Sequence, residues 1–161
     1  MAVMTERPPA SPPYRAYAQI VGIFAGSLAA AGGVARLLGR DPRDHTWLDL
    51  VTLSMASFKA ARTIVRDEVT SFIRDPFVEG DAHDPEDERP LQKGGMEQAI
   101  GELVTCSRCV GTWAAAGLAS AQVLTPRFGR MLTWTLAGAG LNDFLQAGFA
   151  ALTKAANELK R

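Results

Sequence analysis

Three stretches of this chain, Ala16–Val34, Val110–Leu124 and Leu132–Leu141, contain no charged residue, whereas the segment from Arg62 to Arg89 is dense in both signs. The near-zero mean hydropathy is therefore an average over two unlike materials. An apolar helix of about 20 residues crosses a hydrocarbon core roughly 30 Å thick. A helix also satisfies its own backbone in lipid, which an open strand cannot do. The expected fold class is all-α: an integral membrane bundle of about four transmembrane helices with a short amphipathic surface helix. Charge adds an exclusion. With 17 basic and 17 acidic residues, interleaved rather than clustered, no field points to nucleic acid. Only two cysteines are present, which rules out a disulfide-stapled scaffold.

Residues 1–15 are proline-rich and read as a disordered N-terminal tail without a clear secretory signal, so the first helix is expected to stay uncleaved. The helical membrane domain then covers 16–153. Its first helix, about 17–38, carries Gly22 and Gly26 in small-xxx-small spacing, continued by Ala25 and Ala29, a face that lets helices approach closely in lipid. A polar turn leads to Thr46, an N-cap for a second helix over 47–66. Lys59, Arg62 and Arg66 near the far end of that helix can snorkel to headgroups, so it either spans the bilayer or lies at the interface. Val69, Phe72 and Ile73 suggest the surface helix.

Residues 79–95 are acidic and proline-bearing, and are expected to be a mobile loop. Asp81, His83, Asp84, Glu86, Asp87 and Glu88 lack calcium-loop spacing. A third helix is expected over 96–124, some ~43 Å at 1.5 Å per residue, which places its first turns among the headgroups. A fourth is expected over 131–152, with a basic extension over 154–161. Asp143 falls inside the fourth helix, where an ionisable group at membrane depth faces a helix partner or a wet path. With four spans, both termini and the central segment share one side and carry roughly twice the Lys and Arg of the two short turns. That bias puts the termini in the cytoplasm of a multi-pass protein.

The chemistry-bearing run is Glu102-Leu-Val-Thr-Cys-Ser-Arg-Cys-Val-Gly-Thr-Trp113, which holds both cysteines. Cys106 and Cys109, three apart, share a helix face. They can pack, exchange a disulfide with Arg108 favouring the thiolate, or give half of a tetrahedral metal site. A complete zinc or iron site would need the pair from two subunits, or His83 folded back, because His45 lies on the other side. No phosphate loop, nucleophile elbow or His-Glu-x-x-His pattern is present, so no catalytic group can be assigned beyond these redox candidates.

Phe58-Lys-Ala-Ala-Arg-Thr-Ile-Val-Arg-Asp67, Thr70-Ser-Phe-Ile-Arg-Asp-Pro-Phe77 and Gly101-Glu-Leu-Val-Thr-Cys-Ser-Arg-Cys-Val-Gly-Thr-Trp113 together resemble domain-of-unknown-function family 1360 over about Leu48 to Leu141. The resemblance implies a small bacterial protein of the cytoplasmic membrane with no assigned activity. It marks Asp67, Arg74 and Trp113 as candidate functional residues, and Arg108, whose charge lies beside the thiols, is a candidate of this chain's own. Members commonly carry Pro-Trp between the cysteines, where this chain has Ser107-Arg108. The expected role is non-enzymatic: a component that packs in the lipid bilayer against a second copy, forming a homo-oligomer, or against another membrane protein. The alternative is a thiol-redox or metal-binding factor.

Overall fold

A computed structural model describes residues 11–40, 46–80 and 87–159, and these are almost wholly helical. The elements are α1 (Tyr14–Leu37), α2 (Trp47–Arg66), a single-turn α3 (Ser71–Arg74), strands β1 (Val78–Glu79) and β2 (Arg89–Pro90), α4 (Gly95–Val104), α5 (Ser107–Leu124) and α6 (Pro126–Glu158). The all-α class expected from the uncharged runs is observed.

Local chemistry sets the boundaries. Thr46 caps α2 through a capping box: its hydroxyl accepts from the Asp49 amide, while the Asp49 carboxylate accepts from the Thr46 amide at 2.8 Å. Asp67 then turns extended and ends the helix. Pro126 occupies the first position of α6, where its missing N–H costs nothing. The helix consequently starts five residues before the expected 131 and runs on through most of the basic extension.

The core is made of α2, α5 and α6, each packed on the other two, with α1 laid against α5 and α4. Ala56, Leu118 and Ala137 form one buried cluster, and Ala61, Val65 and Val110 a second. Small residues dominate the inside because the helices approach closely. A Cβ on Gly129 would sit 2.4 Å from the Ala121 carbonyl, so the α5–α6 corner closes only around glycine. Nearby, the buried Thr133 hydroxyl donates to the Gly129 carbonyl at 2.7 Å and accepts from the Gln122 amide at 2.9 Å.

Three expectations are corrected. The single helix over 96–124 is two helices, broken at Cys106, whose backbone is extended (φ −99°, ψ 102°). The surface helix is a chain of short turns, with 3-10 turns Glu68–Thr70 and Asp75–Phe77 flanking α3, because Pro76 and two extended residues leave no room for more. The segment 79–95 is partly ordered: β1 and β2 pair antiparallel, Val78 opposite Pro90 and Glu79 opposite Arg89, and Glu88 is buried. His45, Asp81, His83, Asp84 and Glu86 lie outside the described residues.

By length and composition, α1 alone among the described helices is long and apolar enough to cross a membrane. The four-span reading thus meets that criterion at one helix. Charged side chains in α2, the Asn142–Asp143 pair and other polar residues in α6, and Arg108, Gln122 and the many small residues of α5 hold the others below it.

Candidate functional site: a dithiol turn on a clamped cap

The break between α4 and α5 places the two cysteines at a helix start. Thr105 closes α4, its hydroxyl donating to the Gly101 carbonyl at 2.9 Å. Cys106 is then the N-cap of α5, with its sulfur accepting from the Cys109 amide at 3.4 Å. The thiol takes the place a serine hydroxyl usually fills. Ser107, Arg108 and Cys109 form the first turn, all three exposed, and Cys106 is half-buried. The Cys109 thiol donates to the Cys106 sulfur at 2.7 Å, and both cysteines are free.

Electrostatics divide the pair. Burial pushes the Cys106 thiol up, but hydrogen bonds from the Cys109 thiol and from the Cys109 and Arg108 amides, joined by the Arg108 charge, outweigh it and hold Cys106 below the ordinary thiol value. The first turn of a helix adds a partial positive charge of the same sense. Cys106 ends before the uncharged run Val110–Leu124 begins.

What fixes this turn is a cap built from residues 64–80 and 87–105. Arg74 is fully buried and forks onto Glu88, Nε to Oε2 at 2.7 Å and Nη2 to Oε1 at 2.9 Å. Its remaining nitrogen, Nη1, donates to the Ile64 carbonyl at 2.7 Å and the Asp67 carbonyl at 3.1 Å. One side chain thus ties the exposed C-terminal carbonyls of α2 to the β2 edge. The neighbouring Glu88, foremost among the surrounding charges, raises the Arg74 pKa further above its ordinary value, despite the opposing effect of burial. The cap meets α4 at Gly101, where a Cβ would stand 2.4 Å from the Phe77 carbonyl. α4 is held from its other side by Tyr17, whose hydroxyl donates to Glu102, and Gln98 donates to the same carboxylate at 2.9 Å.

The other candidates fall outside the turn. Asp143 on α6 pairs with Lys59 on α2 at 2.9 Å, a helix–helix ion pair. Trp113 on α5 stands edge-on to Phe24 of α1, centroids 5.0 Å apart, and so joins α1 to the core. Asp67 meets Arg74 through its carbonyl. Glu88, Gln98, Glu102 and Gly101 were not singled out as site residues from sequence. A buried carboxylate inside an acidic loop has no periodic signature, although the invariable need of a buried guanidinium for a partner gives one after Arg74 is placed. Among the described residues no group of three or more His, Cys, Asp or Glu converges. A metal would therefore find two thiolates among the described residues here and need further ligands from outside them or from another molecule.

The fold and the turn define a class: a small helical protein with an apolar exterior, carrying an exposed dithiol at the start of a core helix. The chain belongs to the family described as protein of unknown function DUF1360, whose family model matches residues 52–149. It is similar to the sporulation protein YjcA of Bacillus subtilis (strain 168), 35% identical over 104 residues that cover 62% of this chain and 88% of the relative. It is also similar to the UPF0713 protein YngL of the same organism, 27% identical over 115 residues covering 71% of this chain and 88% of that protein. No solved structure matches the chain. The family match begins within α2, so α1 lies outside it.

Proposed function

We propose that this protein is a multi-pass component of the bacterial cytoplasmic membrane, with both termini cytoplasmic, that acts by packing against a second copy or another membrane protein. The observation that carries the reading is an inverted distribution of size. Twenty-four large apolar side chains are exposed among the described residues, including Leu50, Val51, Trp134, Phe144, Leu145 and Phe149, while alanines fill much of the interior. In water such an exterior is an aggregation surface; in lipid it is the solvated face, and small residues belong between helices. Apart from Lys59 and Asp143, which neutralise one another, the charges of α2, α5 and α6 fall toward helix ends, where headgroups would lie.

A face for a partner is available on α1. A Cβ at Gly22, Gly26, Gly32 or Gly33 would meet nothing within 4 Å, so the small-residue stripe expected to pack closely is uncovered. The relative YjcA is named a sporulation protein, which is compatible with a membrane component.

The full-length chain expressed in a bacterium should stay with the membrane after an alkaline wash and require detergent for release. Release by alkali would overturn the membrane reading. Native mass measurement in mild detergent should show a species larger than one chain, reduced to monomer by Gly22→Leu with Gly26→Leu. A monomeric wild type without a co-purifying partner would overturn the packing role.

A further inference from the structure

We propose that Cys106 and Cys109 form a thiol–disulfide exchange site, in which Cys106 attacks a disulfide and Cys109 resolves the mixed intermediate. The proposal rests on the turn and its cap, so it stands whether or not α2, α5 and α6 cross a bilayer.

Three features of the turn assign the roles. First, the sulfurs are 2.7 Å apart, so the pair needs only a small approach to reach the ~2.05 Å of a disulfide. Second, the Cys106 sulfur caps α5 and accepts the Cys109 amide at the helix start, so the negative charge is stabilised on Cys106. Third, Ser107, Arg108 and Cys109 are exposed, which leaves the turn open to a second molecule, and Arg108 supplies a cation beside it. Arg74, Glu88 and Gly101 hold α4 against the cap, so the pair is presented on a fixed mount.

The chemistry balances with a disulfide as the only co-reactant. The Cys106 thiolate attacks one sulfur of the incoming disulfide. A Cys106–substrate S–S bond forms, the substrate's own S–S bond breaks, and the leaving thiolate departs with the electron pair and takes up a proton. Cys109 then loses its proton and attacks the Cys106 sulfur, forming the Cys106–Cys109 disulfide and expelling the second substrate thiolate. Two electrons pass from the protein dithiol to the substrate disulfide, and the reverse sequence runs by the same steps.

A disulfide can come from a small molecule or from a protein, and one experiment separates them. The detergent-purified full-length protein is equilibrated in a series of glutathione buffers and its thiols are counted by mass. The expected result is one two-electron transition to an intramolecular disulfide. In Cys109→Ser a glutathione adduct should accumulate on Cys106. In Cys106→Ser adduct formation should be slower by about tenfold or more, reflecting the loss of the thiolate-stabilising position. Serine keeps an oxygen acceptor at the N-cap, so α5 is retained, and the wild-type titration needs no variant at all. If the wild type reacts with a model disulfide-bonded protein but not with glutathione disulfide, the site is a protein-disulfide site.

Failure to form the intramolecular disulfide with either substrate would overturn the proposal. Equal reactivity of the two single variants would also overturn it. So would stoichiometric zinc or iron that disappears in the variants, which would make the pair part of a metal ligand set.

Discussion

Replacing Arg74 by Ala should release the cap from the core while leaving the helices of the core formed. The substitution deletes two charge-assisted bonds to Glu88, at 2.7 and 2.9 Å, and the donors that cap the Ile64 and Asp67 carbonyls at the end of α2. It also strands a carboxylate whose side chain is 2% exposed. Breaking one side of a buried pair costs about 3–5 kcal/mol, chiefly through the charge left behind. Because the damage is confined to the segment that Arg74 ties down, it should appear as local opening. Converted at 1.4 kcal/mol per tenfold, amide exchange in residues 74–79 and 87–91 should accelerate by about two to three and a half powers of ten. The Leu91 amide, which donates to the Phe77 carbonyl at 3.0 Å, is the direct reporter, and amides of α6 serve as the reference.

Hydrogen exchange of the detergent-solubilised chain, read by mass spectrometry, makes the measurement. The double variant Arg74→Met with Glu88→Met should lie closer to wild type than Arg74→Ala does, since no charge is left unpaired. The Arg74 pKa is raised, so its contribution is complete below the ordinary arginine value and is lost only above the raised one; the cap should show no arginine-derived pH dependence between about pH 5 and 9. Acceleration of less than about threefold in Arg74→Ala, under 1 kcal/mol, would refute the claim that the cap hangs on this pair.

Gly101→Ala forces a methyl group to within 2.4 Å of the Phe77 carbonyl, and should lower thermal stability by about 1–3 kcal/mol, as overpacking does; an unchanged melting curve would refute the close approach. Asp143→Asn strands Lys59 between α2 and α6 and should lower thermal stability in detergent, and the exchange Lys59→Asp with Asp143→Lys should restore the loss; no change in either variant would refute the pairing. Cys106 lies below the ordinary thiol value, so iodoacetamide should modify it ahead of Cys109 at pH values below about 8.5, as located by peptide mass. The sign for stability follows: any gain from the stabilised thiolate is present above the ordinary thiol pKa and fades as pH falls through the lowered one. Modification of Cys109 first would remove the assigned order.

By itself, the sequence determined the helical class, because uncharged runs such as Ala16–Val34 leave only helices able to satisfy their own backbone in an apolar setting. It also determined the start of α2, since Thr46 and Asp49 are a capping box written in local residues. The Asp143 reading was half available: a lone acid in an apolar helix signals a partner, but Lys59 is 84 residues away and only the α2–α6 packing brings it there.

The break at Cys106 was hidden because neither Gly nor Pro marks it. The Pro common between the cysteines in the family would fall at Ser107, the first helical position, where proline signals a start. The buried role of Glu88 was equally hidden, since six acidic and polar neighbours give it the composition of a solvated loop. Tertiary structure decided both. Arg74, buried by the turn after α2, requires a carboxylate whose charge it can neutralise, and that requirement pulls Glu88 inward and orders the hairpin around it. α4 is then fixed against Phe77 and Pro90 through Gly101, and the chain must bend to enter the core, which opens the helix at Cys106 and leaves its sulfur to cap the next one. Local residue chemistry writes helices and caps; a buried charge pair and a helix break depend on what distant segments enclose.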